Sequence, residues 1–163
     1  MKRFVCLILL FSMLLSGCHA LQGRIKEPVT FYYVSQNYQE NMGQVIVSEV
    51  REAAGHRYDL PYLLALYSMG PSDEKLTTLL PRNVTILPVE HSEDGLVLSL
   101  LDEIHALPDA DFTLAGACLA MTCMELIDVE QVTVVCADRS ITLNRENLML
   151  SSSMIPKVPE EAK

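Results

Sequence analysis

Cys18 is the residue best placed to do chemistry, because its thiol directly follows Leu15, Ser16 and Gly17 at the end of the first hydrophobic run. Met1-Lys2-Arg3 is a basic start, and Phe4 to Leu15 supplies twelve mostly apolar residues. That run is too short to cross a hydrocarbon layer of ~30 Å, which takes about 20 residues as a helix. A charged start, a short apolar stretch and small residues before a cut form the pattern of a secretory signal. The chemistry implied at Cys18 is alkylation of its thiol.

The other reactive groups are sparse. His91-Ser92-Glu93-Asp94 puts an imidazole, a hydroxyl and carboxylates on one turn, but an exposed turn gives a hydrolase neither desolvation nor a supported base. Asp102 and Glu103 with His105 follow a strand end, where a site could form; no nucleophile elbow or metal spacing accompanies them. Cys118, Cys123 and Cys136 remain once Cys6 and Cys18 are set aside from the five cysteines. An odd number in an exported chain is not a disulfide scaffold. No Cys-x-x-Cys or His-x-x-x-His spacing supports zinc. The three read as buried thiols acting as small hydrophobes, although Cys136 could bridge to a helix cysteine if strand and helix pack side by side. Tyr32, Tyr33, Tyr62 and Tyr67 read as core and rim, not as a ligand cage. No phosphate loop or dinucleotide fingerprint is present. The sequence therefore implies neither catalytic residues, nor a cofactor, nor a metal.

Leu15-Ser16-Gly17-Cys18 resembles the lipobox of bacterial lipoproteins. In that family the cysteine thiol receives a diacylglycerol, the signal is cut just before it, and the new N-terminus is often acylated too. The resemblance makes 1–17 a signal peptide, Cys18 the lipidation site, and 18–27 a short lipidated tether. Two or more chains, at ~0.8 kcal/mol per buried methylene, hold a domain firmly on a membrane. The expected location is the extracytoplasmic face of the cell membrane, with the domain close to the bilayer.

The formal charge is −9, and loss of Lys2 and Arg3 with the signal makes it −11. So acidic a domain repels phosphate backbones, which excludes nucleic acid as a partner. It also repels anionic lipid, so attachment must come from the acyl chains. The absence of tryptophan argues against an extended stacking platform.

The elements that must position these residues follow from pattern. Val29 to Ser35 is β-branched and aromatic and reads as a strand after Pro28. Gln36 to Gly43 is a polar turn, and Val45 to Ala54 suits strand or helix, strand at its start. Asp59 is an N-cap for a helix carrying Tyr62, Leu63, Leu66 and Tyr67, stopped by Gly70-Pro71. Lys75 to Leu80 reads as a short turn, and Pro81-Arg82-Asn83 leads into a strand over Val84–Val89. Asp94-Gly95 signals a hairpin to Leu96–Leu100. Asp109 or Asp111 caps an apolar helix from Phe112 to Ile127, buried on most sides. Gln131 to Ala137 is a strand, and Ile141 to Leu143 adds a short one. Residues 151–163 read as a mobile tail. Nothing repeats at a fixed period. The predicted fold class is α+β: a small mixed sheet with two main helices packed on one face.

Leu63 to Pro71, followed by Leu79 to Ile86, resembles the core motif of the GerMN domain: a leucine-rich helix ending in Gly-Pro, a spacer, then a Leu-Pro turn into a strand. That family is associated with sporulation and spore germination and is typically found on lipoproteins. The resemblance covers Val29 to Leu143 and defines a GerMN-like domain over 28–150. It implies a ring-building-motif-like fold that works by packing side to side. The function it implies is a lipid-anchored protein–protein assembly module, not an enzyme, with protein partners in a sporulation, germination or envelope complex. The alternative is a surface lipoprotein that binds a small ligand or cell-wall fragment between helix and sheet. A pocket of several hundred Å³ lined by few polar groups would favour the alternative; a flat exposed apolar patch would favour assembly.

Overall fold

The computed structural model describes residues 25–37, 44–82, 84–92, 95–101, 107–137 and 139–148. The expected signal peptide, the lipidation site Cys18 and the tail 151–163 lie outside the described residues. Within them the mixed α+β class holds, with two main helices and the strands divided between two sheets.

The first sheet is built on β1 (Pro28–Ser35), whose Val29, Phe31 and Tyr33 alternate inward. β2 (Ile46–Glu52) pairs with it antiparallel from Pro28↔Glu52 to Val34↔Ile46. This partner decides the segment that the sequence left open between strand and helix. On the other edge, β3 (Leu76–Thr77) pairs only with Val34 and Ser35, within a stretch expected to be a turn. Most of that edge of β1 is therefore left without a strand.

A helix covers it. α1 is Leu60–Ser68 and α2 is Asp109–Ile127. The Tyr32 N–H on the bare edge donates to Thr122 Oγ1 of α2 at 2.9 Å, and the Thr122 hydroxyl donates to Cys118 O at 2.9 Å. Thr122 is 0% exposed, and both of its hydrogen-bonding capacities are used.

The second sheet has the order β4-β5-β6-β7: β4 (Thr85–Ser92), β5 (Gly95–Leu101), β6 (Gln131–Cys136) and β7 (Arg139–Asn144). β4–β5 and β6–β7 are antiparallel hairpins. β5 and β6 run parallel, a pairing that needs a crossover, and α2 is that crossover. One face, with Ile86, Leu96, Leu98, Leu100, Val132 and Val134, is buried under the helices in a single core shared with β1. At Gly116 a Cβ would lie 3.0 Å from Ile141 Cγ2, so the glycine lets α2 settle close on β7.

α2 thus has sheet on two sides, which is why Phe112, Cys118, Leu119 and Cys123 are all buried. By length and composition it could cross a membrane, yet more than half of it is buried in this core. Its start differs from expectation: Asp109 and Asp111 are not caps but lie in the first turn, after Pro108. Carboxylates there still suit the positive end of the helix dipole. Asp128 closes α2 in the left-handed conformation, with φ 54°.

The expected hairpin is present, but Gly95 opens β5 opposite Ser92. A Cβ on Gly95 would sit 2.6 Å from the Gln131 carbonyl oxygen, so only glycine allows β5 and β6 to start this close together.

Thr122→Val should destabilise the protein by about 1–3 kcal/mol in urea denaturation, because it leaves the Tyr32 N–H facing α2 unpaired. Thr122→Ser keeps the hydroxyl and should cost clearly less. Equal losses would assign the effect to methyl packing alone.

Candidate functional site

The segment from α1 into β4 folds as one unit. Asp59 Oδ1 accepts the Tyr62 N–H at 3.2 Å, and Pro61 sits in the first turn, where it has no N–H to lose. Leu63, Leu64 and Tyr67 face the core. The Tyr67 ring stacks on Tyr33 at 4.9 Å, its hydroxyl donates to Tyr32 O, and the Tyr33 hydroxyl donates to Tyr67 O. α1 stops at Met69 and Gly70, whose φ of +89° is a left-handed turn; the Gly70 N–H donates to Tyr67 O at 2.9 Å.

Two charged residues of β2 then hold the loop. Glu49 Oε1 accepts the Ser72 and Asp73 N–H groups at 2.8 and 2.9 Å. Arg51 Nη1 donates to Leu66 O and Gly70 O at 3.3 and 3.1 Å, with its guanidinium 5.5 Å from the centre of the Phe31 ring. These bonds satisfy carbonyls that a helix end leaves unpaired. Sequence reading missed both residues. The available signal was their i, i+2 spacing: Glu49 pairs with Phe31 and Arg51 with Val29, so two charges lie on an inward-facing row.

The clamped loop separates two recesses. A cradle of about 400 Å³ lies beside Gly70–Glu74, with Arg82 at its rim. A groove of about 540 Å³ runs between α1 and β4, with Pro61, Ala65 and Met69 on one wall and Val84, Ile86 and Leu87 on the other. Among the described residues no charged side chain lines the groove, and Ser68 and Thr85 are the polar side chains there. Its strand wall is a sheet edge, since β4 pairs only with β5. The register shifts between Pro88 and Glu90, leaving Val89 without a partner. Apolar surface continues out of the groove: Met69 and Val89 are each 64% exposed, and Leu87 and Leu101 each 43%.

The residues singled out in the sequence are scattered. Cys18, Glu93, Asp94, Asp102, Glu103 and His105 lie outside the described residues. His91 and Ser92 belong to the last part of β4. Tyr33 and Tyr67 are core, while Tyr32 and Tyr62 are half-buried. His56 stacks on Tyr62 at 4.0 Å and lies 3.4 Å from Asp59 Oδ2, a helix-entry contact.

Cys118, Cys123 and Cys136 are buried free thiols, with no disulfide among them. Burial pushes the Cys118 and Cys123 thiols from their ordinary 9.0 up to about 12, so they stay protonated and are poor nucleophiles or ligands at neutral pH. Among the described residues no three His, Cys, Asp or Glu side chains gather as a metal would require.

The raised thiols make a pH prediction. The folded state holds these protons more tightly than the unfolded chain, so stability should be level below pH 9 and fall as the pH climbs toward about 12. Denaturation across that range should show the fall, and replacing Cys118 and Cys123 with Ala should make it shallower; the buried Tyr33 hydroxyl, raised from 10.0 to about 12, and the Tyr67 hydroxyl, also raised by burial, keep the remainder. A second prediction concerns the loop: Gly70→Val should lower stability by about 1–2 kcal/mol, since a β-branched residue resists positive φ. An unchanged melting temperature would remove the left-handed turn from the account.

No family model, curated protein or solved structure matches this chain, so the groove and its loop are interpreted from their own geometry.

Proposed function

We propose that this chain is a lipid-anchored, extracytoplasmic assembly module of the GerMN type, acting by docking protein partners and not by turnover. The observation that carries the reading is the open, uncharged groove along the free edge of β4, with Met69, Leu87 and Val89 exposed beside it. Contiguous apolar surface on a soluble domain marks an interaction site. An unpaired strand edge adds main-chain donors and acceptors that an extended partner segment can use. With a net charge of −9 on the chain, an uncharged groove is also where contact meets least repulsion.

Anchoring through Cys18 supports the same reading. Confinement to one membrane layer raises the effective concentration of partners, so modest contacts suffice for assembly. Sporulation, germination or another envelope complex is the setting that the resemblance proposes.

A second reading has its own observation. A groove of about 540 Å³ with only Ser68 and Thr85 as polar side chains falls in the size range of ligand pockets. A small ligand or cell-wall fragment would then occupy it. Such sites ordinarily add converging polar groups to fix orientation, and here the apolar surface instead runs on outward. Docking of a macromolecule fits better.

The native mature protein should begin at Cys18 and carry added acyl mass; an unmodified, freely soluble chain cut elsewhere would sink the anchor. Crosslinking in membranes of the native host should recover protein partners. Met69→Glu and Leu87→Glu should each reduce that recovery about tenfold or more, as loss of a binding hot spot does, with folding intact. Unchanged recovery with both variants would remove the groove as the docking surface.

A further inference from the structure

We infer that the end of the domain carrying Ile25 and the His56–Asp59 turn is a lipid-contact surface, which seats Tyr58 in the headgroup layer of the anchoring bilayer. The inference rests on acylation at Cys18 and adds the orientation of the domain on the membrane.

The turn is tied down. The Asp59 N–H donates to His56 O at 3.0 Å, which puts Arg57 and Tyr58 at the two central positions of the turn. Glu27 joins this segment to the chain entering β1: its carbonyl accepts the Ala53 N–H at 3.1 Å and its Oε2 accepts the Gly55 N–H at 2.9 Å. Arg57 Nη1 donates to Pro28 O. Tyr58 is thereby held beside the start of β1. Yet it is 94% exposed, more than any other large hydrophobic side chain among the described residues. Ile25, just before β1, is 46% exposed.

Reach decides what this end meets. The seven chain steps from Cys18 to Ile25 span at most ~25 Å. An acylated Cys18 therefore keeps this end within reach of the bilayer at all times, whereas Gln36 lies a further ~25 Å along β1. The side chains suit that layer. A tyrosine joins an apolar ring to a wet hydroxyl, the combination concentrated where hydrocarbon meets water. Ile25 adds apolar contact, and the exposed Lys26 and Arg57 bring cationic groups that can meet lipid phosphates. Glu27 and Asp59 turn carboxylate oxygens to the Gly55 and Tyr62 N–H groups, and Glu52 stands opposite Pro28. With these carboxylates present the patch is not basic, so burial of Tyr58 and Ile25 drives the contact, on zwitterionic lipid too.

The docking groove stays clear of this seat. α1 runs in the sense of β1, since Arg57 meets Pro28 O and the Tyr67 hydroxyl meets Tyr32 O. Its nine residues carry the groove wall ~14 Å onward, away from Tyr58 and toward Met69.

The test uses the native acylated mature chain, which has no tryptophan, so an introduced one reports alone. Tyr58→Trp and, as a control, Gln36→Trp are each placed on phosphatidylcholine vesicles with and without bromine on the acyl chains near the glycerol. Both chains should float with the vesicles. Bromolipid should remove about half or more of the Tyr58→Trp emission, as expected of a ring at the interface, and leave Gln36→Trp unchanged. A second reporter, Ile25→Trp, should also be quenched, and adding Tyr58→Ser should relieve that quenching about twofold or more. Equal quenching at positions 58 and 36 would show a domain with no fixed orientation, and none at 58 would show one that stands clear. Unrelieved quenching of Ile25→Trp would remove Tyr58 as the seat. Each of these overturns the inference and leaves the anchor intact. A chain that fails to float rejects the anchor itself, and the lipid seat with it.

Discussion

The bond from the Tyr32 N–H to Thr122 Oγ1 closes a gap that the two-sheet arrangement would otherwise leave inside the core. β1 is covered on one edge by β2, but β3 reaches only its last two residues. The remaining backbone faces α2, a helix of apolar side chains, where an unpaired N–H costs roughly as much as a lost buried hydrogen bond. Thr122 supplies the acceptor and disposes of its own proton on Cys118 O. Because this contact fixes α2 against β1, the opposite side of α2 is free to bury the inner face of the second sheet, with Gly116 setting the closeness of that approach. The burial of Cys118 and Cys123, and with it their raised thiols, follows from that position.

The second constraint is the clamp from β2. Glu49 and Arg51 lie on the inward row of a sheet yet make charge-assisted bonds to backbone groups of the last turn of α1 and of the loop after it. Bonds to charged groups are worth about 1.5–3 kcal/mol each. Three of them, with the fourth on the last turn of α1, therefore hold a loop that its own sequence, Gly70-Pro71-Ser72-Asp73, would leave loosely specified. The loop sets where Met69 stands, and Met69 forms part of both recesses. The shape of the proposed docking surface is thus decided in part by two side chains on the inward row of β2.

In the proposed reading, the lipid and the groove share the work of assembly. The acyl chains supply location at no demand on the groove, which leaves an acidic domain free to repel whatever does not fit. The groove supplies contact through apolar area and an open strand edge. Extended segments suit such a site because main-chain pairing and alternate side chains act together.

Much of the architecture was legible because it rests on local physics. β-Branched and aromatic content in Val29–Ser35 and Gln131–Cys136 marks strands, Asp59 and Gly70 bracket α1, and the apolar run after Pro108 marks the core helix. Each signal depends on a residue and its near neighbours in sequence. The lipobox resemblance at Cys18 is equally local. What the tertiary structure decided depends on groups far apart in the chain: whether Ile46–Glu52 is strand or helix turns on β1 as its partner, and the role of Thr122 turns on an N–H ninety residues away. Gly95 reads from sequence as half of a turn, but its necessity comes from the Gln131 carbonyl, which only the parallel pairing of β5 and β6 brings near. The groove was invisible for the same reason. Its walls, α1 and the edge of β4, are each ordinary amphipathic elements, and the space between them exists only once Glu49 and Arg51 have placed the loop that joins them.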